Sequence, residues 1–254
     1  FSSCPNRNQP ISSIFYLISR DKDLDISEER IDHIIENIKY RGPDNTNIVK
    51  NKKEIYIHTL LAIQGFNPQP HLDKDNLLLF NGEIYSTSSQ SFTDTGWTSY
   101  DSETNRSITE AELISSFLRK YNFQNLDQLE GEFVINYFDK ANNKLHVISD
   151  PFGTKPFFLC ISNNYLIGST YLSCIERAMK ELKIKGKILS ILPNTHYLFD
   201  TNYLVLLEKE NVYNWDFQPR YDSFERWNIA FNNSILKRTN TDKKIFIPLS
   251  SGYD

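Results

Sequence analysis

The chain has 254 residues, with 28 Lys and Arg against 32 Asp and Glu, and a net charge of −4 gives no electrostatic ground for a nucleic-acid partner. Its 17 Phe, 14 Tyr and 3 Trp supply apolar bulk for one large domain or two smaller ones. Cys4, Cys160 and Cys174 lack metal-ligand spacing and leave an odd thiol, arguing against a disulfide framework or a zinc site and for a reducing compartment. No run of signal-peptide or membrane-spanning type is read, so a soluble, cytoplasmic protein with no membrane partner is expected.

In chain order, Ile14 to Ile18 reads as a buried strand. Ser27 is placed to cap a helix whose Ile31, Ile34, Ile35 and Ile38 share one face. Strands are expected over Ile55 to Ile63 and Leu77 to Phe80, then a Ser/Thr-rich surface insertion over Ser86 to Ser107. Thr109 to Tyr121 returns to helix, with Leu113, Ile114, Phe117 and Leu118 apolar. Phe133 to Phe138 and Leu145 to Ser149 flank the polar turn DKANNK as a hairpin, and Phe157 to Ile161 with Tyr165 to Gly168 form another. A helix near Leu172 to Leu182 and two short strands lead to about Leu207. Trp215 to Arg220 reads as a linker between two units, followed by a helix over Phe224 to Lys237 with Phe224, Trp227, Phe231 and Ile235 apolar, then a strand over Ile245 to Leu249.

Four stretches carry candidate chemistry. RGPD (Arg41 to Asp44) reads as a helix exit, with Gly42 ending the helix and Pro43 blocking its continuation. In LFNGEIY (Leu79 to Tyr85), an Asn–Gly pair at a strand end can turn one side-chain and one backbone N–H toward a developing oxyanion; the plainer alternative is a tight turn with a solvated acid. The block EGEFVINYFDKANNKLHVISDPFGTKPFF (Glu130 to Phe158) closes on a tight turn in which Asp150 and Lys155 read as structural. PLSSGYD (Pro248 to Asp254) reads as a strand-ending turn or as a loop whose N–H groups wrap an anion.

In this order and spacing the four stretches resemble the asparagine synthetase family, over about Ser12 to Asp254. The resemblance implies an α+β fold: an Ntn-hydrolase-like αββα sandwich of the class II glutamine amidotransferase type, followed by the first elements of an α/β ATP-pyrophosphatase domain. The expected divisions are an N-terminal extension (1–11), the amidotransferase-like domain (12–207), a linker (208–221) and an incomplete synthetase domain (222–254). By resemblance Asn81 and Gly82 form the oxyanion hole, Glu83 holds the ammonium of glutamine, Glu110 is a further pocket acid, and Arg41 is a pocket-wall or structural residue. Leu249, Ser250, Ser251, Gly252 and Asp254 match the ATP-pyrophosphate loop, with one family glycine replaced by Ser251. ATP and Mg²⁺ are implied for the synthetase domain alone, and no metal-ligand cluster is read in the chain.

Two departures bear on activity. The family's nucleophile is an N-terminal cysteine whose α-amine, with a pKa of about 7.7–8.0, acts as base. Here Ser12 takes that position, eleven residues precede it, and its nitrogen is an amide. The arginine that grips the glutamine carboxylate is replaced by Leu60, a loss of roughly 1.5–3 kcal/mol in charge-assisted binding. The glutaminase half is therefore expected to be inactive. The leading expectation is an asparagine-synthetase-like ligase that adenylates a small-molecule carboxylate and passes it to a nitrogen donor, within a polypeptide longer than these residues and compatible with a homodimer. The alternatives are a non-catalytic binding or scaffold protein, an amidotransferase fold joined to a deazaguanine nitrile-forming domain, and proteolytic exposure of Ser12 as a nucleophile.

Overall fold

The computed structural model describes residues 12–62, 66–87, 90–91, 99–101, 106–218, 223–239, 244–245 and 247. Strand β1 (Ser13–Ser19) is buried at all seven positions because both of its faces are covered. Helix α1 (Glu28–Lys39) begins at Ser27, whose side chain accepts from the Arg30 N–H, and it buries Ile31, Ile34, Ile35 and Ile38 as the spacing predicts. The hairpin β2 (Asn45–Lys50) and β3 (Glu54–Leu60) follows. β2 has no counterpart in the sequence reading: it is an edge strand that alternates between half-buried and exposed, so its polar residues hide the strand.

Next come β4 (His71–Asp73), β5 (Asn76–Thr87), β6 (Gln90–Ser91), β7 (Ser99–Asp101) and β8 (Arg106–Ile108). β5 runs well beyond the expected Phe80, and the described residues of the Ser/Thr-rich stretch read as a surface insertion or loop include the short strands β6, β7 and the start of β8. Helix α2 (Glu110–Lys120) opens with a reciprocal capping box between Thr109 and Glu112. Then follow β9 (Leu129–Asp139), β10 (Lys144–Ser149), β11 (Phe158–Ile161), β12 (Tyr165–Ser169), α3 (Leu172–Glu181), β13 (Lys187–Ser190), β14 (Thr195–Asp200), β15 (Val205–Asn211) and α4 (Glu225–Thr239). β15 pairs with β14 through residues 208–211, which the sequence reading assigned to the linker.

Two large antiparallel sheets result among the described residues, in the orders β13-β11-β12-β1-β3-β2 and β15-β14-β10-β9-β5-β4, with β6 added to β5, while β7 and β8 pair with each other as a separate two-stranded sheet. Strand alternation sorts the apolar residues into three layers. Ile14, Tyr16, Tyr56, Leu79, Val134 and Phe157 pack between the sheets. Phe15, Leu17 and Ile57 face α1 and α3, and Leu78, Phe80 and Ile135 face α2. The molecule is thus an αββα sandwich. Helix α4 buries none of its residues; its Trp227, Phe231 and Ile235 are exposed, as is Phe224 immediately before it. It meets the second sheet through Lys237 to Glu130 and Arg238 to Glu132. Among the described residues no helix is long and apolar enough to cross a membrane.

Candidate functional site

Ser12 stands immediately before β1, and its Oγ accepts a hydrogen bond from the Leu61 N–H at 3.1 Å. The ladder between β1 and β3 pairs Ser13 with Thr59, which sets Ser12 beside Leu60, a buried side chain. The exit of α1 crosses β3 closely at Gly42, where a Cβ would lie 2.4 Å from the Thr59 carbonyl. That crossing holds Asp44, whose Oδ2 accepts from the Ala62 N–H at 2.8 Å. Arg41 stacks over the Tyr171 ring at 4.9 Å, and its buried Nε has no hydrogen-bond partner among the described residues. Burial lowers its pKa from the ordinary guanidinium value. Tyr171 follows Thr170, which is bonded to the Ile14 backbone, so Arg41 stands near the start of β1.

Asn81, Gly82 and Glu83 lie inside β5, opposite Val134, Phe133 and Glu132 of β9, so they form neither a turn nor a strand end. Gly82 has φ of +135°, and a Cβ there would come within 1.9 Å of the Glu132 carbonyl oxygen. Only glycine fits this combination of backbone conformation and close approach. The residue before Asn81 is pinned by Gln69, whose amide both donates to the Phe80 carbonyl at 3.0 Å and accepts from its N–H at 2.6 Å. Asn81 is 1% exposed, and its Oδ1 has no hydrogen-bond partner among the described residues.

Three carboxyl groups converge at this end of β5. Glu83 and Glu132 are cross-strand partners. Glu110, the first residue of α2, accepts from the Ile84 N–H at 2.7 Å. Burial pushes Glu110 up to about 8, the Ile84 N–H opposes that rise, and the charge of Glu83 adds to it. The Glu83 carboxyl is also raised, first by burial; Lys155 opposes, Glu132 adds and Arg238 opposes. Lys155 and Arg238 contact Glu132 at 3.8 and 3.3 Å. Burial and mutual repulsion both disfavour the charged forms of this carboxyl pair, and an incoming cation would offset the repulsion.

The fold therefore brings Glu83 and Glu110 together on one element pair and sets Ser12, Leu60 and Arg41 around the start of β1. Asp150 is buried and acts as a backbone clasp: its carboxylate accepts from the N–H groups of Phe133, Phe152 and Thr154 and from the Thr154 hydroxyl, at 2.6–3.0 Å. Lys155, read from sequence as structural, joins the carboxyl cluster. Glu132 and Gln69 join the site without being singled out by the sequence: the place of Glu132 depends on strand pairing, and that of Gln69 on its bonds to Phe80. Leu249, Ser250, Ser251, Gly252 and Asp254 lie outside the described residues. Among the described residues no group of three or more His, Cys, Asp or Glu is arranged to hold a metal ion.

The profile of a family described as glutamine amidotransferase domain matches residues 11–204. A Methanocaldococcus jannaschii protein assigned as asparagine synthetase [glutamine-hydrolyzing] 1 is 26% identical over 271 residues, an alignment covering 92% of this chain and 48% of that protein. Asparagine synthetase [glutamine-hydrolyzing] 1 of Arabidopsis thaliana is 24% identical over 251 residues, covering 95% of this chain and 40% of the plant protein. The chain thus spans about half the length of these relatives, or less. Among solved structures, the glutamine phosphoribosylpyrophosphate amidotransferase of B. subtilis, complexed with ADP and GMP, superposes with a TM-score of 0.53 at 12% identity. That match covers 79% of this chain and 49% of the other, and it is a likeness of fold: the αββα sandwich of the Ntn-type amidotransferases.

Proposed function

The chain belongs to the glutamine amidotransferase domain family, and from that premise we propose that its sandwich keeps the amine-binding part of a glutamine pocket and has lost the hydrolytic part. The observation that carries this reading is the neighbourhood of Ser12. Its oxygen is a hydroxyl already accepting from Leu61, its nitrogen lies in a peptide bond, and its ladder neighbour is the buried Leu60. A hydroxyl with no amine beside it is a weak nucleophile at neutral pH, and the Leu60 side chain itself gives a glutamine carboxylate no charged partner. Glu83 and Glu110 remain as an acidic seat for an ammonium group, next to the Asn81–Gly82 pair.

Within a longer polypeptide, the domain serves as the docking partner of an asparagine-synthetase-like ligase. The names and lengths of the relatives support that reading, as do the ion pairs that seat α4 on the second sheet. Such a ligase joins a carboxylate to a nitrogen nucleophile, with ATP and Mg²⁺ supplying the activation. The decisive assay is glutamate release from L-glutamine. The protein as it stands is expected to give none above background. A variant lacking residues 1–11 and carrying Ser12→Cys and Leu60→Arg, which restores nucleophile, base and clamp together, is expected to release glutamate. Turnover of glutamine by the unaltered chain would overturn the proposal.

A further inference from the structure

The layer between the two sheets is mostly apolar, and among the described residues three of the polar side chains that face it carry unpaired atoms. His58, Asn81 and Asn136 are each 1% exposed or less. By alternation they share the inward faces of Tyr56, Leu79 and Val134 respectively. Both ring nitrogens of His58, the Oδ1 of Asn81 and the Nδ2 of Asn136 are buried without a hydrogen-bond partner among the described residues.

Their positions are linked through one bridge. Tyr16 on β1 donates its hydroxyl across the layer to the Asn136 Oδ1 at 3.2 Å. Tyr16 pairs with Tyr56 and Ile14 with His58, so His58 is one diagonal step from Tyr16 on the first sheet. Asn136 pairs with Leu79 and Val134 with Asn81, so Asn81 is one diagonal step from Asn136 on the second. Diagonal neighbours on one face lie roughly 7–8 Å apart, a gap that one hydrogen-bonded molecule can span. An unpaired buried donor or acceptor bears its full desolvation cost, and four of them together rival the stability margin of a whole domain.

We infer that the inter-sheet layer contains a hydration site, in which ordered water molecules bond His58, Asn81 and Asn136 beside the Tyr16–Asn136 bridge. The donor and acceptor inventory matches. A neutral imidazole offers one donor and one acceptor, Asn136 adds a donor and Asn81 an acceptor, which is the complement that water satisfies. Burial keeps His58 neutral, with its pKa pushed down to about 3. A water on the Asn81 Oδ1 fixes the amide plane and makes Asn81 a preoriented donor for the adjoining pocket; this last consequence rests on the amidotransferase reading.

The test uses the full chain, labelled with ¹⁵N, in a water-to-protein NOE experiment. Long-lived water cross-peaks are expected to the side-chain amide protons of Asn81 and Asn136, and their absence would overturn the inference. A second readout is the urea midpoint of His58→Leu. Hydrated nitrogens predict a midpoint lower by roughly half a molar, whereas a dry layer predicts a rise, because two unpaired nitrogens are removed. Glutamine turnover by the unaltered chain would sink the functional reading and leave the water cross-peaks as they are.

Discussion

Glu110→Gln tests the electrostatics of the candidate pocket. In the folded chain Glu110 is raised from 4.5 to about 8, chiefly because burial disfavours its charge and secondarily because Glu83 repels it. The unfolded chain releases this proton near 4.5 and the folded chain holds it to about 8. The folded state therefore binds more protons through that window, and stability falls as pH rises. The contribution is fully present below 4.5 and is gone once the folded carboxyl ionises near 8. At about 1.4 kcal/mol per pH unit the loss has a ceiling of about 5 kcal/mol, a large share of a domain's 5–15 kcal/mol. Glutamine keeps the acceptor for the Ile84 N–H, bonded at 2.7 Å in the parent, and has no proton to lose. Urea unfolding of parent and variant between pH 5 and pH 9 is the assay. The two are expected to match near pH 5, with the variant pulling ahead by about 3–5 kcal/mol near pH 8. Parallel pH profiles for the two proteins would refute the reasoning, since the slope would then come from other groups.

Gly82→Ala forces a Cβ to within 1.9 Å of the Glu132 carbonyl oxygen at a φ of +135°; the expected cost is at least about 3 kcal/mol in denaturant titration. Asp150→Ala removes the acceptor for three backbone N–H groups and the Thr154 hydroxyl; a loss of about 3 kcal/mol or more is expected by the same titration. On the outer face of the second sheet, Phe123 stacks on His146, whose Nδ1 lies 2.9 Å from the His196 Nε2, and His196 meets Glu210 at 2.9 Å. Burial, then His196 and Lys144, lower His146 to about 3, and burial lowers His196 against the pull of Glu210 and Glu208. A lowered histidine pKa means that this stability is present above about 6.5 and is lost as pH falls toward 3. Thermal midpoints are accordingly expected to drop between pH 6.5 and pH 4, and less steeply in His146→Gln; an unchanged slope in that variant would assign the acid sensitivity elsewhere.

Local signals carried a good part of the architecture. The Ser27 cap and the isoleucine stripe of α1 are a matter of neighbours three and four residues apart, so sequence alone defines that helix and its buried face. The inner strands are legible because both faces are covered and their residues are apolar in series. The same logic fails for β2 and β15, edge strands whose polar or exposed residues lack that signature. It also fails at Asn81–Gly82–Glu83, where Asn–Gly chemistry signals a turn and the ladder with β9 overrides it.

Sequence by itself determined the family likeness, the helix faces and the residue types at the candidate site, including Ser12 and Leu60 where the likeness calls for cysteine and arginine. Tertiary structure alone decided who meets whom. Glu83 faces Glu132 across 49 positions of chain, Tyr16 reaches Asn136 across 120, and His58 is sealed between sheets that sequence cannot align. Alternation fixes which face a side chain takes, because it is a property of the strand. The partner opposite, and with it the desolvation and charge that raise Glu110 and lower His58, is set by pairing between distant segments, which no local pattern encodes.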